Sequence, residues 1–100
     1  MAVASILELQ LNPGSLDAAL KVIHETLEAT RTRPGCLGVS VLVDSADPTH
    51  VSAYESWESI EHDQAYRAWR ASDDPAAKSD LGSVLAAPPK LTVYTIADGV

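Results

Sequence analysis

Apolar residues recur at period two near both ends and in the middle of the chain, and two segments of helical periodicity separate these stretches. The pattern predicts an α+β domain in the order strand, helix, strand, strand, helix, strand. That order is the split β-α-β unit, a four-stranded antiparallel sheet with its helices on one face, known as the ferredoxin-like arrangement. A chain of 100 residues is too short to divide into two parts that each bury a core, so residues 1–100 are read as one domain.

From Val3 to Leu11, Val3, Leu7, Leu9 and Leu11 point one way and Ala4, Ile6, Glu8 and Gln10 the other, which defines the first strand. Asn12-Pro13-Gly14 is a turn, and Ser15 is an N-cap for a helix that carries Leu16, Leu20, Ile23 and Leu27 on one face and runs to about Thr32. Pro34-Gly35 stops it. Leu37, Val39, Val41 and Val43 alternate as the second strand, and Ser45-Ala46-Asp47-Pro48 turns the chain into a third over Thr49 to Trp57. Ser59 caps a second helix reaching about Ala71. Asp74-Pro75 offers a fresh cap, with Pro at the first helical position, for a short third helix to about Leu85. Pro88-Pro89 ends it, and Leu91 to Ile96 form the last strand. The helices cover one face of the sheet. The other face carries Ile6, Tyr54, Tyr94 and Ile96, more apolar than water tolerates well, so a homodimer is expected.

The composition, 46% hydrophobic and 21% charged, is that of an ordinary globular chain without low-complexity segments. A formal charge of −7 with scattered Lys and Arg residues disfavours nucleic acid and anionic membrane surfaces as partners. No basic leader precedes an apolar block and no run approaches the roughly 18 apolar residues of a spanning helix. A cytoplasmic protein is the expectation. The lone cysteine, Cys36, reads as a small buried hydrophobe at a strand start rather than a nucleophile.

Chemistry is concentrated on the second helix. His62, Tyr66 and Trp69 fall at i, i+4 and i+7 and share a face, bringing a titratable ring, a phenol and an indole to one wall with Ala65 beside them. Core packing is the plain alternative for Tyr66 and Trp69. Arg67 and Arg70 flank the stripe and suit a phenolate or carboxylate, although helix arginines commonly point to solvent. Trp57 shares a strand face with Val51 and Ala53 and either roofs a pocket or packs in the core. His24 lies one turn from Leu20, with Glu28 four residues on to orient it. His50 belongs to the hairpin surface, and Ser5 and Ser40 are small hydroxyls on strands. No cluster of His, Cys and carboxylates has dense metal-ligand spacing, and neither a nucleotide-binding glycine loop nor a nucleophile elbow is present. No metal or organic cofactor is therefore expected.

With Asn12-Pro13-Gly14 before the first helix, Arg33-Pro34-Gly35-Cys36-Leu37-Gly38 entering the second strand and Glu55-Ser56-Trp57-Glu58-Ser59 between third strand and second helix, the chain resembles the antibiotic biosynthesis monooxygenase family over nearly its whole length. The resemblance implies a dimeric α+β barrel. That scaffold serves cofactor-independent oxygenases of aromatic polyketides, quinol oxygenases, haem-degrading enzymes and an isomerase. Tyr66 sits where the haem-degrading members carry a functional Trp, but Leu7 replaces their strand-one Asn and no axial His follows Tyr66 at their spacing. Gln64-Ala65-Tyr66-Arg67 and Ala87-Pro88-Pro89-Lys90 resemble the polyketide-tailoring oxygenases, with extra residues between Trp57 and the Tyr. The resulting expectation is a cofactor-independent monooxygenase that uses dioxygen on an aromatic polyketide, quinol or anthrone. His62 or His24 would be the base, Tyr66 and Arg67 the donors, and Trp57, Trp69, Arg67 and Leu7 the substrate wall. The alternative is a non-catalytic small-molecule binder using the same pocket, followed by a haem protein.

Overall fold

The computed structural model describes residues 2–100. In chain order it has strand β1 (Val3–Gln10), helix α1 (Leu16–Arg31), strand β2 (Cys36–Val43), strand β3 (His50–Trp57), helix α2 (Ile60–Arg70), two 3-10 turns (Pro75–Ala77 and Leu81–Val84) and strand β4 (Lys90–Thr95). The strands form one sheet in the order β2-β3-β1-β4, and each neighbouring pair is antiparallel. This is the ferredoxin-like α+β topology that the residue periodicities predict.

Both α-helices start where a serine hydroxyl replaces a missing backbone partner. Ser15 Oγ accepts from the Ala18 amide at 3.3 Å and Ser59 Oγ from the His62 amide at 3.2 Å. Between α1 and β2 the chain turns through Gly35 at φ +81°, in the left-handed region open to glycine at little cost.

Strand alternation decides which residues meet the helices. Leu9 pairs with Val51 and Leu7 with Ala53, so odd-numbered residues of β1 and β3 share the helix-side face. Leu9, Leu11, Val51 and Ala53 there pack against Ala19, Ile23 and Leu27 of α1. Each large aliphatic so buried contributes roughly 1.5–3 kcal/mol. A second cluster joins Val3, Trp57 and Tyr66, with Cys36 and Trp69 against it. The buried face of α1 runs through Ala19, Ile23, Leu27 and Thr30, leaving the expected Leu16 and Leu20 at its half-buried margin.

Two expectations are corrected. A bulge between Cys36 and Gly38 breaks the alternation of β2, so Leu37 is 60% exposed rather than in line with Val39 and Val41. The third helix is absent. Asp74 does cap Pro75–Ala77 by accepting from the Ala76 amide, but Lys78 is extended, and a second turn starts only at Leu81. Serine side chains compete for this backbone: Ser79 Oγ accepts from the Leu81 amide and Ser83 Oγ donates to the Asp80 carbonyl.

On the helix-free face Ile6 pairs with Tyr54 and Ala4 with Tyr94. Leu42, Tyr54, Tyr94 and Ile96 remain exposed. Among the described residues no helix is long and apolar enough to cross a membrane.

Candidate functional site

A cavity of about 210 Å³ lies between the helices and the sheet. Leu7 of β1 and Glu55 of β3 reach it from the sheet, Thr26 and Leu27 from α1, Tyr66, Arg67 and Arg70 from α2, and Ser79 and Leu81 from the connection to β4. Leu7 and Glu55 arrive there because both are odd-numbered on strands in register. Tyr66 and Arg70 lie one helical turn apart on α2, so they share its inward side.

Two polar networks border this space. In the first, Glu55 is 0% exposed. Its Oε1 accepts from Arg67 Nη2 at 2.7 Å and from Trp57 Nε1 at 3.1 Å. Arg67 Nη2 also donates to Asp63 Oδ1 at 3.0 Å, and the buried Ser5 hydroxyl donates to the same oxygen at 2.9 Å. Glu55 Oε2 and Arg67 Nε are buried without a hydrogen-bond partner among the described residues. Leaving a carboxylate oxygen dry and unpaired is costly, and such groups concentrate at sites with chemistry to perform.

In the second network, the Tyr66 hydroxyl lies 2.7 Å from Thr30 Oγ1. Arg70 Nε donates to the Tyr66 oxygen at 2.8 Å, while Arg70 Nη2 donates to Thr30 Oγ1 at 3.0 Å and to the Thr26 carbonyl at 2.8 Å. Arg70 Nη1 donates to the Ala77 carbonyl at 3.2 Å. One guanidinium thereby ties α1, α2 and the connection to β4 around the cavity.

Of the residues singled out in the sequence for chemistry, Tyr66, Arg67, Arg70 and Leu7 line this cavity, and Trp57, Trp69, His62, His24, His50, Ser5, Ser40 and Cys36 do not. Trp57 is fully buried beside it, stacked on Tyr66 with ring centroids 5.0 Å apart. Trp69 donates from Nε1 to Asp74 at 2.9 Å, and the Arg33 guanidinium lies 4.1 Å from its ring centroid. That hydrogen bond holds the Asp74 carboxyl below its ordinary range. His62 stands at the start of α2 with Nδ1 2.7 Å from Ser59 Oγ, its ring filling the space a Cβ on Gly35 would need. The predicted stripe therefore separates: His62 fixes a turn, Tyr66 faces the cavity, and Trp69 covers a loop. His24 is exposed on α1, 3.3 Å from Glu28, in a separate shallow groove with Leu20 and Val41.

Cys36 is half-buried, and loss of water raises its thiol above the usual range, which disfavours a thiolate nucleophile. Among the described residues no group of three His, Cys, Asp or Glu side chains could hold a metal ion. Sequence reasoning missed Glu55, Asp63 and Thr30 as site residues. The signal for Glu55 was present, since a charged residue lies in phase with Val51, Ala53 and Trp57 on a buried strand face.

The family model for antibiotic biosynthesis monooxygenases matches residues 2–77. None of the curated proteins compared with the chain matches it. Among solved structures, SnoaB of Streptomyces nogalater, described as a cofactor-independent oxygenase, superimposes with a TM-score of 0.77 at 16% identity, covering 99% of this chain and 96% of that one. Rv0793 of Mycobacterium tuberculosis aligns with a TM-score of 0.76 at 19% identity, covering 98% of this chain and 97% of that one. A conserved protein of Methanosarcina mazei Go1 gives 0.75 at 18% identity, covering 94% and 91%. At these identities the likeness is one of fold.

Proposed function

The chain belongs to the antibiotic biosynthesis monooxygenase family, and from that premise we propose that it is a cofactor-independent oxygenase of an electron-rich phenol, hydroquinone or anthrone bound in the cavity between helices and sheet. The observation that carries this reading is Glu55, a carboxylate with no exposure and one unpartnered oxygen in the wall of that cavity. Glu55 takes the role of base in place of His24 and His62, which lie elsewhere.

Glu55 Oε2 accepts a proton from the substrate. Arg67 and the Tyr66 hydroxyl face the oxygen on which negative charge develops, and Leu7, Leu27 and Leu81 keep water out. The substrate anion passes one electron to dioxygen, and the resulting radical and superoxide combine, with a proton, into a hydroperoxide. At a CH₂ carbon, loss of water then leaves a carbonyl, so one oxygen atom enters the product and the other leaves as water. SnoaB, described as a cofactor-independent oxygenase on the same fold, supports such chemistry. The cavity of about 210 Å³ is below the roughly 300 Å³ at which drug-sized pockets begin, which ranks single-ring phenols and hydroquinones ahead of the three-ring anthrones within that class.

The assembly belongs to the same proposal: two copies pack through the helix-free sheet face, covering Ile6, Leu42, Tyr54 and Tyr94.

Oxygen-electrode measurements with metal-free protein, chelator and a panel of hydroquinones and anthrones test the activity. Uptake well above autoxidation is expected, falling about 100-fold or more in Glu55→Gln. No uptake across the panel, with substrate still quenching tryptophan fluorescence, makes the protein a binding module.

A further inference from the structure

The cavity between helices and sheet has a neighbour. A groove of about 240 Å³ lies between α1, at Val22, Glu25 and Ala29, and the connection after α2, at Ala76, Lys78 and Asp80. Thr26, Arg70 and Ser79 border both spaces and so form the wall between them. Of the nine residues that line the inner cavity, Ser79 alone is exposed, which places the thinnest part of that wall on the connection.

Residues 75–80 are held to the rest of the molecule by little. Among the described residues their hydrogen bonds stay within residues 72–83 with one exception, the bond of 3.2 Å that Arg70 Nη1 donates to the Ala77 carbonyl. Ala77 is also the one buried side chain of the stretch. Both flanks are fixed. Before the stretch, the Trp69 indole donates to Asp74 and the Ser72 hydroxyl to the Trp69 carbonyl. After it, Leu81 and Val84 pack on the core, the Asn12 amide donates to the Val84 carbonyl and the Ala86 amide to the Gln10 carbonyl. Arg70 is fixed as well, because its Nε and Nη2 are bonded to Tyr66, Thr30 and the Thr26 carbonyl independently of Ala77. A segment fastened at its ends and joined to its neighbours by one hydrogen bond and one methyl group in between is the part of a fold that opens at least cost.

We propose that the outer groove is the entrance of the cavity and that residues 75–80 are its lid, with the bond from Arg70 to the Ala77 carbonyl as the latch. The lid lifts from α1, the latch parts while Arg70 stays with the helices, and a ligand passes between Thr26 and Ser79. Closure re-forms the bond and shuts water out. This assignment, which rests on reading the inner cavity as the ligand site, holds whether or not the ligand is oxidised there.

Stopped-flow mixing with 4-nitrophenol, followed as quenching of tryptophan emission, tests it. Entry behind a lid should run well below the diffusional limit of about 10⁸–10⁹ M⁻¹s⁻¹. Ala29 lines the groove and not the cavity, so Ala29→Phe should slow association and dissociation together, by about tenfold each, and leave the Kd unchanged. Ala77 lines neither space; Ala77→Gly removes the methyl that seats the lid and should speed both rates, again at constant Kd. Circular dichroism checks that each variant folds, and should one fail, the other decides. Association of the unaltered protein at the diffusional limit, unchanged rates in the folded variants, a change confined to one of the two rates, or no binding of the probe overturns the proposal. Rates that shift together without any oxygen uptake from the quinol panel leave the entrance standing and remove the oxygenase reading alone.

Discussion

Arg67 and Gly35 show how much a single position does here. Arg67 sits between Glu55 and Asp63 at 2.7 and 3.0 Å, and removing it strands two buried carboxylates. Arg67→Ala is therefore expected to cost about 3–5 kcal/mol in denaturant unfolding, whereas a surface arginine changed to alanine would stay within about 0.5 kcal/mol. Gly35 combines φ +81° with the packed His62 ring. Gly35→Ala meets both obstacles and should lower stability by about 1–3 kcal/mol, read as a fall in Tm. An unchanged Tm would show that the turn and the ring both give way. Tyr66→Phe removes a buried hydroxyl held by Thr30 and Arg70. About 1–3 kcal/mol of stability and much of the oxygen uptake should go with it, while uptake equal to the unaltered protein would take Tyr66 out of the reaction.

At the scale of elements, the β2–β3 hairpin carries a pH dependence with a definite sign. His50 lies 3.0 Å from Asp44 and 3.3 Å from Glu8. Hydrogen bonds to the carboxylates of Asp44 first and Glu8 second raise the imidazole above its usual value of about 6.5. A group whose pKa is raised by folding binds its proton more tightly in the native state. Its stabilisation is full below about pH 6.5 and is lost as pH rises through the higher native value. Asp44, lowered chiefly by the His50 hydrogen bond, acts oppositely: its contribution is present above about 3.8 and lost as pH falls. The unaltered protein should therefore lose stability as pH rises above neutrality and His50→Gln should not, as read by thermal melts; parallel profiles would remove His50 as a source of pH dependence. The start of α2 is the other sensitive place, since Ser59 Oγ serves both the His62 amide and the His62 ring. Ser59→Ala should cost about 1 kcal/mol, more than Ser15→Ala, whose hydroxyl makes the cap bond to the Ala18 amide.

For the whole molecule, the helix-free sheet face carries the exposed apolar residues that the proposed dimer would cover. Tyr54 and Tyr94 stand 39% and 49% exposed there, beside Ile6 and Leu42. Sedimentation should find a dimer, and Tyr54→Glu should shift it to monomer with the cavity networks intact; an unshifted dimer would place the interface elsewhere. The strands, both α-helices, their serine caps and the turn at Gly35 were legible in the chain, because periodicity and capping act over a few residues and need only local information. The third helix was misread at Lys78 to Asp80 because serine and aspartate side chains bond the local backbone there in competition with a helix. Leu37 was misread because a bulge changes strand phase without any mark in residue type. The candidate site was legible only in part. Tyr66, Arg67, Arg70 and Leu7 could be chosen by residue type and resemblance. Glu55 was passed over although its phase on β3 was plain, and Asp63 gave no sign of its bond to Ser5, 58 residues away. The chain by itself determined which residues are helical, which are extended and which faces are apolar. Only the tertiary structure decided which charges are buried together and which are left unneutralised, since desolvation and ion pairing are set by distances between elements that no local pattern encodes.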